Sequence, residues 1–347
     1  MESNPKSMQI IVCNKPGKLE YKEEVCNRVN PGFSLLKVKA IGICGTDLHA
    51  FEGTQPYFSY PRVLGHEIAA EVVETSNPEF QKGQSVTVTP YFNCGKCAAC
   101  QMGKENCCVS LQVFGVHIDG GMKELIQVPN SSLVSGEGLR TEELALVEPF
   151  SIALHAVKRA QLESSEITVI VGAGPIGIAT AIFAIERGAK VLLLDNNDDR
   201  LKVAEAMLEN IETYNVRSGS VLEKLKDFSK GEMANVVFDA SGNLEAINSS
   251  FQYLAHAGKF ILIGLQGGDI RFNHPEFHKR EATLMSSRNA NRKDFEEVIS
   301  FLKGRKVNLE HFITHKIAFE DLRDRFQNLL DPKERVIKAI VEFNLKL

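Results

Sequence analysis

The chain has 347 residues, of which 44% are hydrophobic and 24% charged, with a formal net charge of -4. That length exceeds one ordinary core and predicts about two domains, in the compositional balance of a globular rather than a disordered protein. The mildly negative charge and the scattered basic residues exclude field-driven binding to nucleic acid or anionic lipid.

The polar stretch Met1–Met8 lacks an apolar signal core. No apolar run, Ile176–Ile185 included, reaches the ~20 residues of a membrane span. A cytoplasmic protein without membrane or nucleic-acid partners is expected. The first 150 residues are rich in Gly and Pro and carry short β-like runs at Ser34–Ala40, Ala69–Glu74 and Ser85–Thr89. They predict an irregular β-rich domain. Five of the eight cysteines crowd between Cys94 and Cys108. In a reducing compartment that crowding points to metal rather than disulfides.

The pattern changes near residue 150. Ile167–Val171 reads as a buried strand, followed by a glycine turn. Pro175–Arg187 reads as a helix with Pro at its start and Gly188 past its end. Lys190–Leu194 is a second strand and Asp198–Asn210 a second helix. Asn235–Phe238 and Lys259–Ile263 are further strands with a helical stretch between them. This alternation predicts a doubly wound parallel sheet. The helix expected at Arg292–Lys303 and the strand at Val336–Phe343 would return to the first domain.

The turn after the first of these strands is Gly172-Ala173-Gly174-Pro175-Ile176-Gly177, a G-x-G-x-x-G sequence between strand and helix. Gly172 permits the tight turn, Gly174 lets a pyrophosphate approach the backbone, and Gly177 allows close helix–strand packing. The helix N-terminus offers free N–H groups to the phosphates. Asp195 ends the next strand, 18 residues after Gly177. A carboxylate there accepts hydrogen bonds from ribose hydroxyls and repels a 2′-phosphate, so NAD is expected in preference to NADP. Arg200, one helical turn on, softens that preference or flanks the adenine.

Cys94, Cys97, Cys100 and Cys108 follow the spacing C-x2-C-x2-C-x7-C. Four thiolates from one short lobe close a tetrahedral zinc site with no position left for substrate, which makes such a metal structural. By spacing alone, Cys107 serves as the fourth ligand as well as Cys108. Further metal-binding residue types stand in Ile43-Cys44-Gly45-Thr46-Asp47-Leu48-His49, in Leu64-Gly65-His66-Glu67 and at Glu148. Cys, His and carboxylate hold zinc with an open position, where it acts as a Lewis acid on a hydroxyl. Glu67 also has a reading as a partner that merely orients His66.

Together these segments resemble the zinc-containing medium-chain dehydrogenase/reductase family. The resemblance is carried by GICGTDLH at 42–49, LGHE at 64–67, the cysteine lobe at 94–108, DGG at 119–121, EP at 148–149 and GAGPIG at 172–177. It covers nearly the whole chain. It implies an α/β fold: a GroES-like β-rich catalytic domain from residues 1–153 and 290–347, with a Rossmann domain at 154–289 and the active site in the cleft. It implies two Zn2+ per subunit, the catalytic one at Cys44 and His66 with Glu67 and Glu148 as carboxylates. It also selects Cys108 over Cys107. Thr46 would bind the reacting hydroxyl, and His49 would pass its proton towards solvent. Asp47 would support local structure. Ile263, Gly264 and Leu265 would pass the nicotinamide edge, with Ser287 near the cleft. Members are dimers or tetramers, so a homodimer or homotetramer is expected. Met122 and Leu125 replace aromatic residues usual after DGG, and Cys13 and Cys26 have no role in the family pattern.

Within the family the chain looks most similar to the hexonate (sugar-acid) 5-dehydrogenases. The run QPYFSYPRVLGHE at 55–67, Gly115-Val116-His117, Pro275–Lys279 and Ser287–Ala290 carry that likeness. The expected reaction moves a hydride between NAD and a secondary hydroxyl of a sugar acid or polyol. Arg62 and Arg288 would hold a substrate carboxylate with their bidentate forks, or else form structural ion pairs. His117 would contact a substrate hydroxyl or serve the fold. The alternatives are a sorbitol, sugar-phosphate or L-threonine 3-dehydrogenase of the same frame, or a non-catalytic NAD-binding regulatory protein.

Overall fold

A computed structural model describes residues 7–26, 28–56, 58–304 and 308–343. Tyr57 of the run at 55–67, and residues 1–6 of the polar N-terminal stretch, lie outside them. The chain divides into two compact units, one of residues 1–148, 290–307 and 313–347, the other of residues 149–289 and 308–312.

In the first unit, β1 (Ser7–Lys15) and β2 (Lys18–Val25) form an antiparallel hairpin. A seven-stranded sheet follows from β3 (Phe33–Ile43), β4 (Glu67–Glu74), β5 (Ser85–Val88), β8 (Leu125–Pro129), β9 (Leu133–Ser135), β16 (Ile313–Ala318) and β17 (Lys338–Glu342). Its order is β16-β17-β3-β4-β5-β9, with β8 also paired to β3. β6 (Tyr91–Phe92) and β7 (Gln112–Val113) make a separate short ladder beside the cysteine lobe. Buried Leu36, Val38, Ile41, Ile68, Val72, Phe319, Phe326 and Val341 share one core drawn from both ends of the chain.

The second unit holds a six-stranded parallel sheet of β10 (Ile167–Val171), β11 (Lys190–Asp195), β12 (Ile211–Asn215), β13 (Ala234–Asp239), β14 (Leu254–Leu262) and β15 (Thr283–Ser286). The order is β12-β11-β10-β13-β14-β15. Strand order reverses between β10 and β13, and there an open parallel sheet leaves its ligand crevice. Val169, Val171, Leu192, Leu194, Val237 and Phe260 are buried. Such strands read as continuous apolar runs because helices cover both faces.

The helix expected to reach Asn210 stops at Met207. Asn210 takes a left-handed conformation at φ 63°, which turns the chain into β12. β14 starts at Leu254, earlier than the apolar run suggests, because a register shift with Ala257 at φ 58° interrupts its alternation. Among the described residues, no helix is long and apolar enough to cross a membrane.

Candidate active site

The glycine turn of the second unit is built as its chemistry requires. Gly172 sits at φ 102°, and a Cβ there would lie 2.9 Å from the Ser241 backbone. A Cβ on Gly177 would lie 1.7 Å from the Gly172 carbonyl oxygen, so only glycine lets this helix approach the turn. Gly174 faces open space, with nothing within 4 Å of a built Cβ. It caps the helix Pro175–Glu186, which carries Pro175 in its first turn. This is the cradle a dinucleotide pyrophosphate needs, so the residues fit that cofactor. Asp195 is buried. Its Oδ2 accepts from the Ala173 N–H at 2.7 Å and its Oδ1 from the Asn197 N–H at 2.9 Å. Arg200 Nη1 stands 4.0 Å from the same carboxylate. Ile263 and Gly264 both donate backbone N–H bonds to the Asp239 carbonyl. Leu265 is exposed. Ser287 donates its N–H to Leu262, while its hydroxyl oxygen is buried without a hydrogen-bond partner.

The first unit carries two clusters of side chains that could hold a metal ion. In the lobe, the sulfur atoms of Cys94, Cys97, Cys100 and Cys108 all lie within 4.8 Å of one another, while Cys107 is exposed and outside that set. The N–H groups of Cys94 and Ser110 donate to Cys108 Sγ at 3.3 and 3.4 Å. Backbone N–H donors of Cys100 and Val109 pull the Cys97 thiol down to about 6, whereas burial pushes Cys100 up to about 12. All eight cysteines are free of disulfides. Four convergent sulfurs fed by amide donors fit a structural zinc.

The second cluster begins where β3 ends. Cys44 caps the helix Gly45–Glu52, and the buried Asp47 carboxylate joins two loops. Its Oδ2 accepts from the Cys44 N–H at 2.9 Å and its Oδ1 from the Gly65 N–H at 3.0 Å. One side chain therefore fixes both segments that carry prospective ligands. Cys44 Sγ, a His66 ring nitrogen and a Glu67 carboxylate oxygen lie within 4.8 Å of one another. His66 Nδ1 is buried with no hydrogen bond, as is Glu148 Oε2. Orphaned buried polar atoms beside a thiol are what a metal would satisfy, so the donor set fits zinc with an open position.

Glu148 lies outside the 4.8 Å set but acts electrostatically on His66. Its Oε1 accepts a hydrogen bond from the buried Tyr91 hydroxyl. Burial pushes the Glu148 carboxyl up to about 7, against the opposing pull of His66. Two members of this cluster escaped the sequence reading. Tyr91 sits in a two-residue strand with no motif around it. Lys338 arrives from the last strand of the chain and pairs with Glu67 at 2.6 Å. A lone lysine in an apolar strand is the signal that would have pointed to it, since buried lysines require a partner.

Thr46 is half-buried on the helix Gly45–Glu52, three residues before His49 and so on the same face. The His49 side chain is 61% exposed, with Nδ1 3.2 Å from Thr54 Oγ1 and 3.3 Å from Glu52 Oε2. Arg62 donates to Ser59 Oγ at 2.9 Å and stands 3.5 Å from Asp119, in a side chain only 17% exposed. His117 Nδ1 accepts the Val113 N–H at 2.9 Å within its own turn. Arg288 is exposed.

A GroES-like β-rich unit with two clusters of potential metal donors, joined in one chain to a Rossmann sheet, defines a zinc-type alcohol dehydrogenase, an oxidoreductase acting on CH–OH groups. The chain belongs to that family. It matches the alcohol dehydrogenase GroES-like domain over residues 30–137 and the zinc-binding dehydrogenase family over residues 175–304. It is 37% identical over 339 residues to the L-galactonate-5-dehydrogenase of Escherichia coli K12, spanning 97% of this chain and 99% of that one. It is 30% identical over 313 residues to a 2-dehydro-3-deoxy-L-galactonate 5-dehydrogenase of Pseudoalteromonas atlantica, covering 89% and 91%. Among solved structures, the rspB alcohol dehydrogenase of E. coli CFT073 in complex with NADH superposes with a TM-score of 0.90 at 28% identity, over 97% of this chain and 99% of that one. The family resemblance read from the motifs and the fold class it implied are both met.

Proposed function

We propose that this chain is an NAD-linked hexonate 5-dehydrogenase that oxidises L-galactonate to D-tagaturonate. The observation that carries the substrate is the 37% identity, over almost the full length of both chains, to a protein of that activity. Cys44 and His66 hold the catalytic metal with a carboxylate of Glu67 or Glu148, and Cys94, Cys97, Cys100 and Cys108 hold a second ion. Zinc bound at the first site supplies a Lewis acid that lowers the pKa of the substrate hydroxyl, and NAD supplies the hydride acceptor. Thr46 hydrogen-bonds the reacting hydroxyl and starts a proton relay, handing on its own hydroxyl proton as it accepts the substrate's. His49, one turn on and open to solvent, carries the proton away. Gly172, Gly174, Pro175, Ile176 and Gly177 seat the pyrophosphate, and Asp195 and Arg200 meet the adenosine ribose. The Asp195 carboxylate supports NAD over NADP by repelling a 2′-phosphate. Ile263, Gly264, Leu265 and Ser287 border the nicotinamide.

Arg62, held by Asp119 and Ser59, and the exposed Arg288 are the candidate partners of the substrate carboxylate. His117 supports its own turn. The protein works in the cytoplasm as a homodimer or homotetramer. The deciding experiment is an NAD-linked screen of hexonates, polyols and L-threonine, with metal content measured on the same sample. L-Galactonate giving the highest kcat/KM with two zinc per subunit is the expected result. Sorbitol or L-threonine outranking every hexonate would reject the substrate assignment.

A further inference from the structure

Asp239 closes β13, one of the two strands between which strand order reverses, and it is fully buried. Its Oδ1 accepts from the Ser241 N–H at 3.1 Å and from the Ser241 hydroxyl at 2.5 Å, and its Oδ2 from the Gly242 N–H at 3.3 Å. Its carbonyl accepts the N–H groups of Ile263 and Gly264 at 2.9 and 3.0 Å. One residue therefore gathers donors from the turn after β13 and from the strip after β14. Among the described residues no cation pairs with it, and burial pushes its carboxyl above the usual carboxylate range against the pull of Ser241 and Gly242. Desolvating a carboxylate is costly, and here only the backbone and hydroxyl donors of one turn offset it.

The turn it holds is wedged between two other segments. A Cβ on Gly264 would lie 2.3 Å from the Gly242 nitrogen and 2.8 Å from Asp239 Oδ2, and a Cβ on Gly242, at φ 58°, would lie 3.0 Å from the Leu265 carbonyl oxygen. On the other side, a Cβ on Gly172 would lie 2.9 Å from Ser241 Cα, and the Ala240 N–H donates to the Val171 carbonyl at 2.9 Å. Backbone meets backbone from the glycine turn, through Ala240–Gly242, to Ile263–Leu265. With glycine at each contact, side-chain packing contributes little to their spacing, and the hydrogen bonds on Asp239 set it. The serine hydroxyl extends the chain of bonds. Ser241 Oγ accepts from the Asn243 N–H at 3.1 Å, and Asn243 Oδ1 caps the helix Leu244–Ser250 through the Ala246 N–H at 3.0 Å.

We propose that Asp239 is a positioning residue for the nicotinamide half of the dinucleotide, holding Ile263–Leu265 at a fixed distance from the glycine turn. This rests on the reading that the glycine turn seats the pyrophosphate and that Ile263–Leu265 border the nicotinamide. The adenosine half is assigned to Asp195, at the end of β11 on the other side of β10, and does not depend on that spacing. The test uses the full-length chain as wild type, Asp239→Ala, Ser241→Ala and Gly264→Ala. Asp239→Ala removes the carboxylate and Ser241→Ala one of its donors. Gly264→Ala forces the two segments apart with every donor and acceptor kept. The readouts are affinities for NADH and for AMP by calorimetry, the emission spectrum of bound NADH, and the thermal midpoint of the same samples.

Asp239→Ala and Gly264→Ala bind NADH at least about tenfold more weakly than wild type, while AMP affinity stays within about threefold. Ser241→Ala, which leaves both backbone donors in place, falls between them and wild type. The emission of NADH bound to Asp239→Ala moves towards that of free NADH, because the strip beside the nicotinamide is no longer held. NADH and AMP weakened in equal proportion make Asp239 a purely structural residue and overturn the assignment. NADH binding within about threefold of wild type in both Asp239→Ala and Gly264→Ala overturns it as well. Ser241→Ala and Gly264→Ala decide the outcome alone if Asp239→Ala does not fold. Wild-type protein that fails to bind NADH overturns the dinucleotide reading itself and is told apart before any variant is compared.

Discussion

Replacing Gly42 with alanine tests the buried pair of Glu67 and Lys338 without touching a charged group. The new methyl carbon would lie 1.8 Å from Glu67 Oε2 and 3.0 Å from Glu67 Cβ and Cδ. Carbon and oxygen settle no closer than roughly 3.3 Å, so the carboxylate must retreat by about 1.5 Å. It cannot swing into solvent, because Glu67 is fully buried. Retreat on that scale breaks at least one of the two bonds to Lys338. Disrupting a buried ion pair costs about 3–5 kcal/mol. We expect the lower end, about 3 kcal/mol, because the Ile43 carbonyl still holds the ammonium. For a unit of this size that lowers the unfolding temperature by roughly 6–12 °C. Differential scanning calorimetry, with zinc content measured on the same sample, checks it. A midpoint within about 2 °C of wild type would show that Glu67 gives way cheaply and that the pair is not rigid.

Cys97→Ser loses one zinc per subunit and becomes less stable or soluble. Loss of turnover at unchanged stability and zinc content would contradict a structural lobe. Cys44→Ser reduces kcat by several orders of magnitude while NAD binding, followed by fluorescence titration of NADH, stays within about threefold of wild type. Gly177→Ala lowers affinity for NADH at least tenfold, because its Cβ would meet the Gly172 carbonyl at 1.7 Å, while both zincs remain bound. The lobe also has a pH signature. Cys97 at about 6 is already thiolate near neutrality, but Cys100 at about 12 still holds its proton, which zinc must displace. Zinc affinity therefore rises with pH, about tenfold per unit for that one proton, and a flat profile between pH 6 and 8 would refute the assignment of these thiols.

Some of this was legible in the sequence because short-range spacing determines it. The glycine turn, the strand before it and the helix after it stand within 20 residues, so the turn at Gly172 and the close packing at Gly177 could be read without tertiary information. The lobe is equally local, yet spacing left Cys107 and Cys108 equivalent. In the structure only Cys108 converges with the other three sulfurs, while Cys107 faces solvent. Residues whose partners are remote were illegible. Lys338 meets Glu67 across 271 positions and Tyr91 meets Glu148 across 57, and neither pair leaves a periodic trace. Arg62 shows the converse. Its sequence left a carboxylate partner and a structural ion pair both open, and only the fold could reveal which acid, Asp119, stands beside it. The strands β12, β15 and β16 escaped notice because their mostly half-exposed residues lack the apolar run of a buried strand.

The pairing of β17 with β3 sets an order on biosynthesis. Lys338 bonds to Ile43, 295 positions earlier, so the first sheet stays open along one edge until the polypeptide has extended past the whole of the second unit. The dinucleotide unit, drawn almost entirely from residues 149–289, emerges complete in the meantime and can close on its own. Until the final strand leaves the ribosome, Glu67 has no ammonium to rest on. The first unit is therefore completed only when β17 joins β3, and Glu67 gains its counter-charge in that same step.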